Sequence, residues 1–264
     1  MKKLKKGDIV ARKSYGKDII FYIKQILNLK TKKIAILCGV NERIEADCEL
    51  DDLEIIDYKT IKEKNKIENK KINFEIAKKR IMNKIVTGKI LHLDGDKRYS
   101  QKSFNYYKKL GLNAIVKNIP EKNQSKMVYT LLRIYNPDIL VITGHDGMIK
   151  NGKNFYDIYN YRNSKYFIET VKEARRYDDN YKKNTVIFAG ACQSYFEALI
   201  SAGANFASSP ARILIDFLDP LIVAEKVATT ENYKYIYVES FVNELRDGKK
   251  SVGGVGSYGK MKYM

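Results

Sequence analysis

The sequence predicts an α/β protein: a mostly parallel sheet flanked by helices, preceded by a small SH3-like β-barrel domain. Three observations carry this expectation. Beyond Lys89, apolar strand-like runs alternate with amphipathic helical stretches. Before about Ile56 the pattern is one of short strands that alternate or run apolar, broken by Gly16-Lys17 and by the polar stretch around Lys30 to Lys33. Between the two, residues 60–86 are rich in Lys, Asn and Glu and contain neither Gly nor Pro.

In chain order, GDIVARKSY, DIIFYIKQIL and KKIAILCGV supply the barrel strands, which gives a first domain over residues 1–58. Sparse Ile and Phe among the charges make 59–86 a charged helical connector. The α/β domain then spans 87–264. Its expected strands are Ile90 to Leu93, Ala114 to Val116, Ile139 to Thr143 and Thr185 to Ala189, with helices near Ser103 to Leu110, Gln124 to Tyr135, Tyr166 to Arg176 and Tyr195 to Ala202. Continuous apolar strands alternating with helices imply a sheet buried on both faces. In such sheets the ligand crevice lies beyond the carboxyl ends of the strands.

A composition of 44% hydrophobic and 30% charged residues is that of an ordinary globular chain. No apolar run approaches the roughly 18–20 residues of a membrane span. The basic start MKKLKKGDIV leads into a strand pattern instead of a secretory h-region, so a soluble, cytoplasmic protein is expected. Cys38, Cys48 and Cys192 cannot all pair, and with two histidines they form no metal-ligand spacing. Free thiols, no metal and no cofactor follow. The formal charge of +18 favours acidic partners, which keeps a nucleic-acid-binding protein using the basic amino-terminal domain as the alternative function. The basic excess is spread along the chain among abundant Asn, Ile and Tyr, as a solvated surface would be.

Two strands end in residues suited to chemistry. Ile139 to Thr143 runs into Gly144-His145-Asp146-Gly147, and Thr185 to Ala189 runs through Gly190-Ala191 into Cys192-Gln193-Ser194 and a helical stretch. Both groups therefore fall on the same sheet edge. A thiol at a strand-to-helix junction can be activated by the helix amino end, an imidazole can move its proton, and the backbone N–H groups of Gly147 and Cys192 can hold an oxyanion. These are the parts of an acyl-transfer site with Cys192 as nucleophile and His145 as proton-transfer partner. Nucleophile-elbow hydrolases place the nucleophile before the His. Here His145 precedes Cys192 by 47 residues, close to the caspase separation of about 50.

An apolar strand ending in His near Gly, then one ending in Ala-Cys, resembles the caspase, legumain, gingipain and clostripain clan, although Asp146 is inserted into the usual His-Gly pair. The segments LHLDGD (91–96), PDILVITGHDG (137–147), YRNSKYF (161–167), FAGACQSYFEALISAGANFASSP (188–210) and LDPLIVAEKVA (218–228) resemble the sporulation-specific YabG peptidases of spore-forming Firmicutes. The resemblance spans most of residues 88–264. It implies a cysteine endopeptidase that processes spore coat and cortex-associated proteins in the mother cell, cuts next to Arg, becomes coat-associated, and uses the Cys of the Ala-Cys-Gln-Ser motif, here Cys192. An Arg preference needs a carboxylate in the specificity pocket. Asp94, Asp96 and Asp146 are the candidates for substrate binding.

Four other signals read as structural. Gly254 to Lys260 satisfies G-x-G-x-x-G without the strand and helix that motif needs, and suggests a flexible tail or substrate-side loop. His92, within the strand, is expected to be packed; Glu197 reads as an ion-pair partner, and Arg162 to Ser164 as a helix cap.

Overall fold

The computed structural model describes residues 4–29, 32–40, 42–57, 85–149 and 154–263. The chain divides into two compact units, Met1–Glu75 and Ile76–Met264. Nearly all of the expected helical connector lies outside the described residues. Its last two, Ile85–Val86, form a short strand.

In the first unit, β1 (Ile9–Arg12), β2 (Ile20–Asn28), β3 (Lys33–Gly39), β4 (Glu45–Glu49) and β5 (Leu53–Ile55) make an antiparallel sheet in the order β4-β3-β2-β1-β5. Alternation places Val10, Phe21, Ile23, Ala35 and Leu37 in its core. Gly16, at φ 62°, closes the short 3-10 turn after β1. Cys38 and Cys48 belong to this unit. Burial pushes both thiols up, Cys48 to about 11 with Asp52 adding to the effect, so both stay protonated at neutral pH.

The second unit opens with β6 (Ile85–Val86), then β7 (Ile90–Asp94), α1 (Lys97–Leu110), β8 (Ala114–Asn118), α2 (Glu121–Tyr135), β9 (Ile139–Thr143), α3 (Ser164–Tyr181), β10 (Val186–Ala189), α4 (Phe196–Ser201), β11 (Phe206–Ser208) and α5 (Asp219–Thr229). The strands β12 (Tyr235–Ile236), β13 (Val252–Gly254), β14 (Ser257–Tyr258) and β15 (Lys262–Tyr263) follow. The main sheet has the order β13-β11-β10-β9-β7-β8, parallel throughout except for β13. Every residue of β7, β9 and β10 is buried, as expected of strands covered on both faces.

Leu91, Leu93, Leu140, Ile142 and Ile187 pack with Val128 and Leu132 of α2 and Phe167 and Val171 of α3. Each such side chain contributes about 1.5–3 kcal/mol by leaving water. The opposite face of β7 carries His92 and Asp94 toward α1. α1, α2 and α3 begin earlier than the apolar periodicity indicates because their first turns are polar, whereas α4 begins one residue later than expected. In α1, Asp96 supplies the cap, accepting from Arg98 and Tyr99 N–H at 2.7 and 3.2 Å.

The carboxyl-terminal glycine run is neither a tail nor a loop. Gly254 completes β13 against Phe206, where an added Cβ would meet the Asn205 carbonyl, and Lys260 donates to the Asn184 carbonyl at 2.6 Å. Among the described residues, no helix is long and apolar enough to cross a membrane.

Candidate active site

The strand order places β9 and β10 side by side in parallel, so the loops at their carboxyl ends are neighbours. The switch point of the sheet falls between β7 and β9, which brings the loop after β7 to the same place. His145, Cys192 and Asp96 stand on these three loops.

The His145 loop is held from several sides. Glu121, the first residue of α2, accepts the His145 N–H at 2.7 Å, and its carboxylate occupies the space left by the missing Cβ atoms of Gly95 and Gly144. Asn163 donates its side-chain amide to the His145 carbonyl at 2.7 Å. The imidazole Nε2 lies 2.9 Å from Asp96 Oδ2, and Tyr99 meets the ring edge-on with centroids 6.1 Å apart. Burial opposes the Asp96 charge, but His145 and the Tyr99 and Arg98 N–H groups outweigh it and hold the carboxyl well below the usual range.

Asp146 ties the His loop to the Cys loop. One oxygen accepts from Gly147 N–H at 2.9 Å and Asn163 N–H at 2.8 Å; the other accepts from the Ser164 hydroxyl and from Ser194 at 2.8 Å. Burial pushes this carboxyl up and the four donors pull it back. Ser194 also accepts the Ala191 N–H at 2.9 Å, and Met148 N–H donates to Gln193 Oε1 at 3.3 Å. The two loops are thus joined on either side of Cys192.

Cys192 is 1% exposed, in a turn four residues ahead of α4. That helix is only six residues long, so the expected activation by a helix end is not provided here. Gln193 takes a left-handed φ of 53° and donates its N–H to the Ile213 carbonyl at 3.0 Å. The Cys192 Sγ faces the Ile215 carbonyl at 3.8 Å.

The positions singled out from the sequence divide into two groups. His145 and Cys192 sit on adjoining loops as expected. Asp94 is 0% exposed, with its oxygens accepting from Asp96 N–H and Thr143 Oγ1, each at 2.9 Å. Asp96 faces His145 and Asp146 spans the loops, so all three candidate pocket acids are engaged inside the domain. The Gly147 N–H, expected to hold an oxyanion, donates instead to Asp146, because the inserted Asp folds back over the next peptide. Asn163 stands at the start of α3 but makes no side-chain cap; its amide holds the His145 carbonyl instead, and Ser164 holds Asp146. His92 is packed as expected, between Tyr107 and Thr143 at 3.1 and 2.7 Å. Glu197 pairs with Arg212.

Sequence reasoning missed an acidic pair just beyond Ile215, whose carbonyl faces the Cys192 thiol. Asp216 follows Ile215 and donates its N–H to Asp219 Oδ2 at 3.2 Å. Asp219 is 1% exposed and its Oδ1 has no hydrogen bond among the described residues. Burial first, then the Asp216 charge, pushes it up to about 7, although Ser251 and Arg246 draw it back. An acid in the first turn of a helix, before Pro220, is common, so its position in the sequence does not set it apart.

The family model for YabG peptidase U57 matches residues 5–264. The chain belongs to the YabG peptidase family. Sporulation-specific protease YabG of Bacillus subtilis (strain 168) is 38% identical over 97% of this chain and 96% of its own length. Among solved structures, the receiver domain of the histidine kinase CKI1 from Arabidopsis thaliana, complexed with Mg2+, matches 53% of this chain and 90% of its own at 14% identity, with a TM-score of 0.33. Membership makes the chain a peptidase, and the YabG match covers both of its units.

Proposed function

We propose that this YabG-family peptidase is a cysteine endopeptidase of sporulation, with Cys192 as nucleophile and His145 as proton-transfer partner. The observation that carries this reading is the placement of the two residues on adjoining strand-end loops of β9 and β10, tied by the Asp146–Ser194 hydrogen bond. Adjacent His-bearing and Cys-bearing strands also support membership of the caspase clan. The five-stranded amino-terminal sheet supports the expected SH3-like domain. Cys38 and Cys48, pushed up by burial in the other unit, are poor rivals for the nucleophile.

The thiol gives its proton to His145, and the sulfur attacks the scissile carbonyl. Collapse of the tetrahedral intermediate breaks the C–N bond, and the imidazolium protonates the leaving amine. Water then cleaves the thioester and regenerates the thiol. The Cys192 N–H is one oxyanion donor; Gly147 N–H can be the other only where Asp146 gives it up. A cut next to Arg calls for a carboxylate in the specificity pocket, and Asp216 and Asp219, on the segment that follows Ile215, join Asp94, Asp96 and Asp146 as candidates for it. The substrates are spore coat and cortex-associated proteins and the site of action is the mother cell, in keeping with the "sporulation-specific" name of the Bacillus subtilis relative. Family membership gives the nucleic-acid alternative no support.

The test compares wild type and Cys192→Ala on fluorogenic peptides that differ only at the residue before the scissile bond. Cleavage after Arg by wild type and none by the variant is expected. Full activity of Cys192→Ala would remove the proposed nucleophile.

A further inference from the structure

We propose that Asp96 is the positioning residue of His145, fixing the imidazole with its proton on Nε2 so that Nδ1 is the nitrogen that exchanges a proton with Cys192. The inference rests on the cysteine-peptidase reading above and assigns Asp96 a task other than substrate recognition.

Asp96 has two separate sets of partners. Its Oδ1 is pinned by the first N–H groups of α1, from Arg98 at 2.7 Å and Tyr99 at 3.2 Å, and its Oδ2 lies 2.9 Å from His145 Nε2. An ionised carboxylate only accepts hydrogen bonds, so a neutral His145 beside it carries its proton on Nε2. The charge on Asp96 is secure, because the helix N–H groups and His145 hold the carboxyl well below its ordinary range against the cost of burial. The proton count closes without Asp96 changing state. Cys192 loses its proton to Nδ1, Asp96 stabilises the imidazolium, and the same proton leaves on the amine.

Asp96 itself stands on a rigid support. A buried chain runs from the Tyr107 hydroxyl to His92 Nδ1 at 3.1 Å, from His92 Nε2 to Thr143 Oγ1 at 2.7 Å, from Thr143 Oγ1 to Asp94 Oδ2 at 2.9 Å, and from Asp96 N–H to Asp94 Oδ1 at 2.9 Å. Thr143 Oγ1 donates to Asp94 and so accepts from His92 Nε2, which leaves Nδ1 of a neutral His92 to accept from Tyr107. Thr143 also ends β9, two residues before His145, so one network holds both partners of the Asp96–His145 pair. This gives the buried His92 and Asp94 a purpose that packing alone does not. The remaining charged groups around His145 have other tasks: Glu121 holds its backbone N–H, Asp146 turns to Ser164 and Ser194, and Lys102 lies over Tyr99 and Phe217.

Asp96→Asn separates this role from the alternatives. Asn caps a helix about as well as Asp and has the same shape, so α1 keeps its start. Its amide can donate to His145 and select the wrong tautomer. The expected result is a fall in kcat on the order of 10²- to 10⁴-fold, as for loss of the orienting carboxylate in a catalytic triad. KM should stay within about threefold, and the limb of the pH profile that reports imidazolium loss should move to lower pH.

The chain has only two histidines, so ¹⁵N resonances of the imidazoles give a second readout that needs no activity. Neutral His145 should carry its proton on Nε2 in the wild type and in Cys192→Ala. A wild-type Nδ1–H tautomer overturns the inference whether or not Asp96→Asn folds. An inactive Cys192→Ala beside an Asp96→Asn with wild-type kcat and pH profile overturns it alone, as does a loss confined to KM for Arg substrates, which would make Asp96 a pocket acid. An active Cys192→Ala overturns the reading on which it rests.

Discussion

Asp219 should make the larger unit less stable as pH rises from acid to neutral, and Asp219→Asn should remove that dependence. Its carboxyl is raised from 3.8 to about 7 by burial and the nearby Asp216. A group whose folded pKa exceeds its unfolded value favours the native state below the unfolded pKa and loses that advantage as pH rises through the folded pKa. The window therefore runs from about pH 4 to pH 7. A difference of about 3 pH units at roughly 1.4 kcal/mol each gives a cost on the order of 4 kcal/mol above pH 7. The Asn side chain does not titrate, so the variant should exceed wild type by up to about that amount at pH 8 and by much less at pH 4. Urea unfolding followed by circular dichroism across this range measures the difference. A wild-type-minus-variant difference that stays flat from pH 4 to pH 8 would refute the reasoning.

Gly144→Ala should lower kcat/KM by about tenfold or more while leaving the fold intact, because the new Cβ displaces the Glu121 carboxylate and its charged hydrogen bond to His145 N–H is worth about 1.5–3 kcal/mol; steady-state kinetics with a control for native circular dichroism would show it. Asp146→Ala should destabilise the protein by about 3–5 kcal/mol in urea unfolding, since it strands two buried hydroxyls and two N–H groups. Asp146→Asn, which keeps an acceptor at the site, should cost clearly less.

Much of the fold was legible because its determinants are local. The apolar runs of β7, β9 and β10 are buried on both faces, and their hydrophobicity is written in consecutive residues; β9 matches its expected limits at Ile139–Thr143. Helix starts were not legible to the same degree. The first turns of α1 and α3 are polar because Asp96, Asn163 and Ser164 serve the loops beside them, so the periodic signal begins only where the helices meet the core. The glycine-rich end looked like a loop because its strands are two or three residues long and exist only by pairing with β11 and β12.

His145 and Cys192 stood out as candidates in the sequence because each lies two or three residues past an apolar strand, and strands of a parallel sheet point their carboxyl ends the same way. Which side chains would meet them was another matter. Asp94 and Asp96 differ by two positions in one turn, yet one is sealed in a buried chain and the other reaches an imidazole 49 residues away. Sequence alone determined the order of the elements and the two strand-end candidates, His145 and Cys192. Only the tertiary structure decided that β9 lies between β7 and β10, that Asp146 closes one loop onto the other, and that the Ile215 carbonyl faces Cys192. Those outcomes depend on strand order and on the direction of each side chain within a packed interior, where a partner is chosen by space and hydrogen-bonding need instead of by position in the chain.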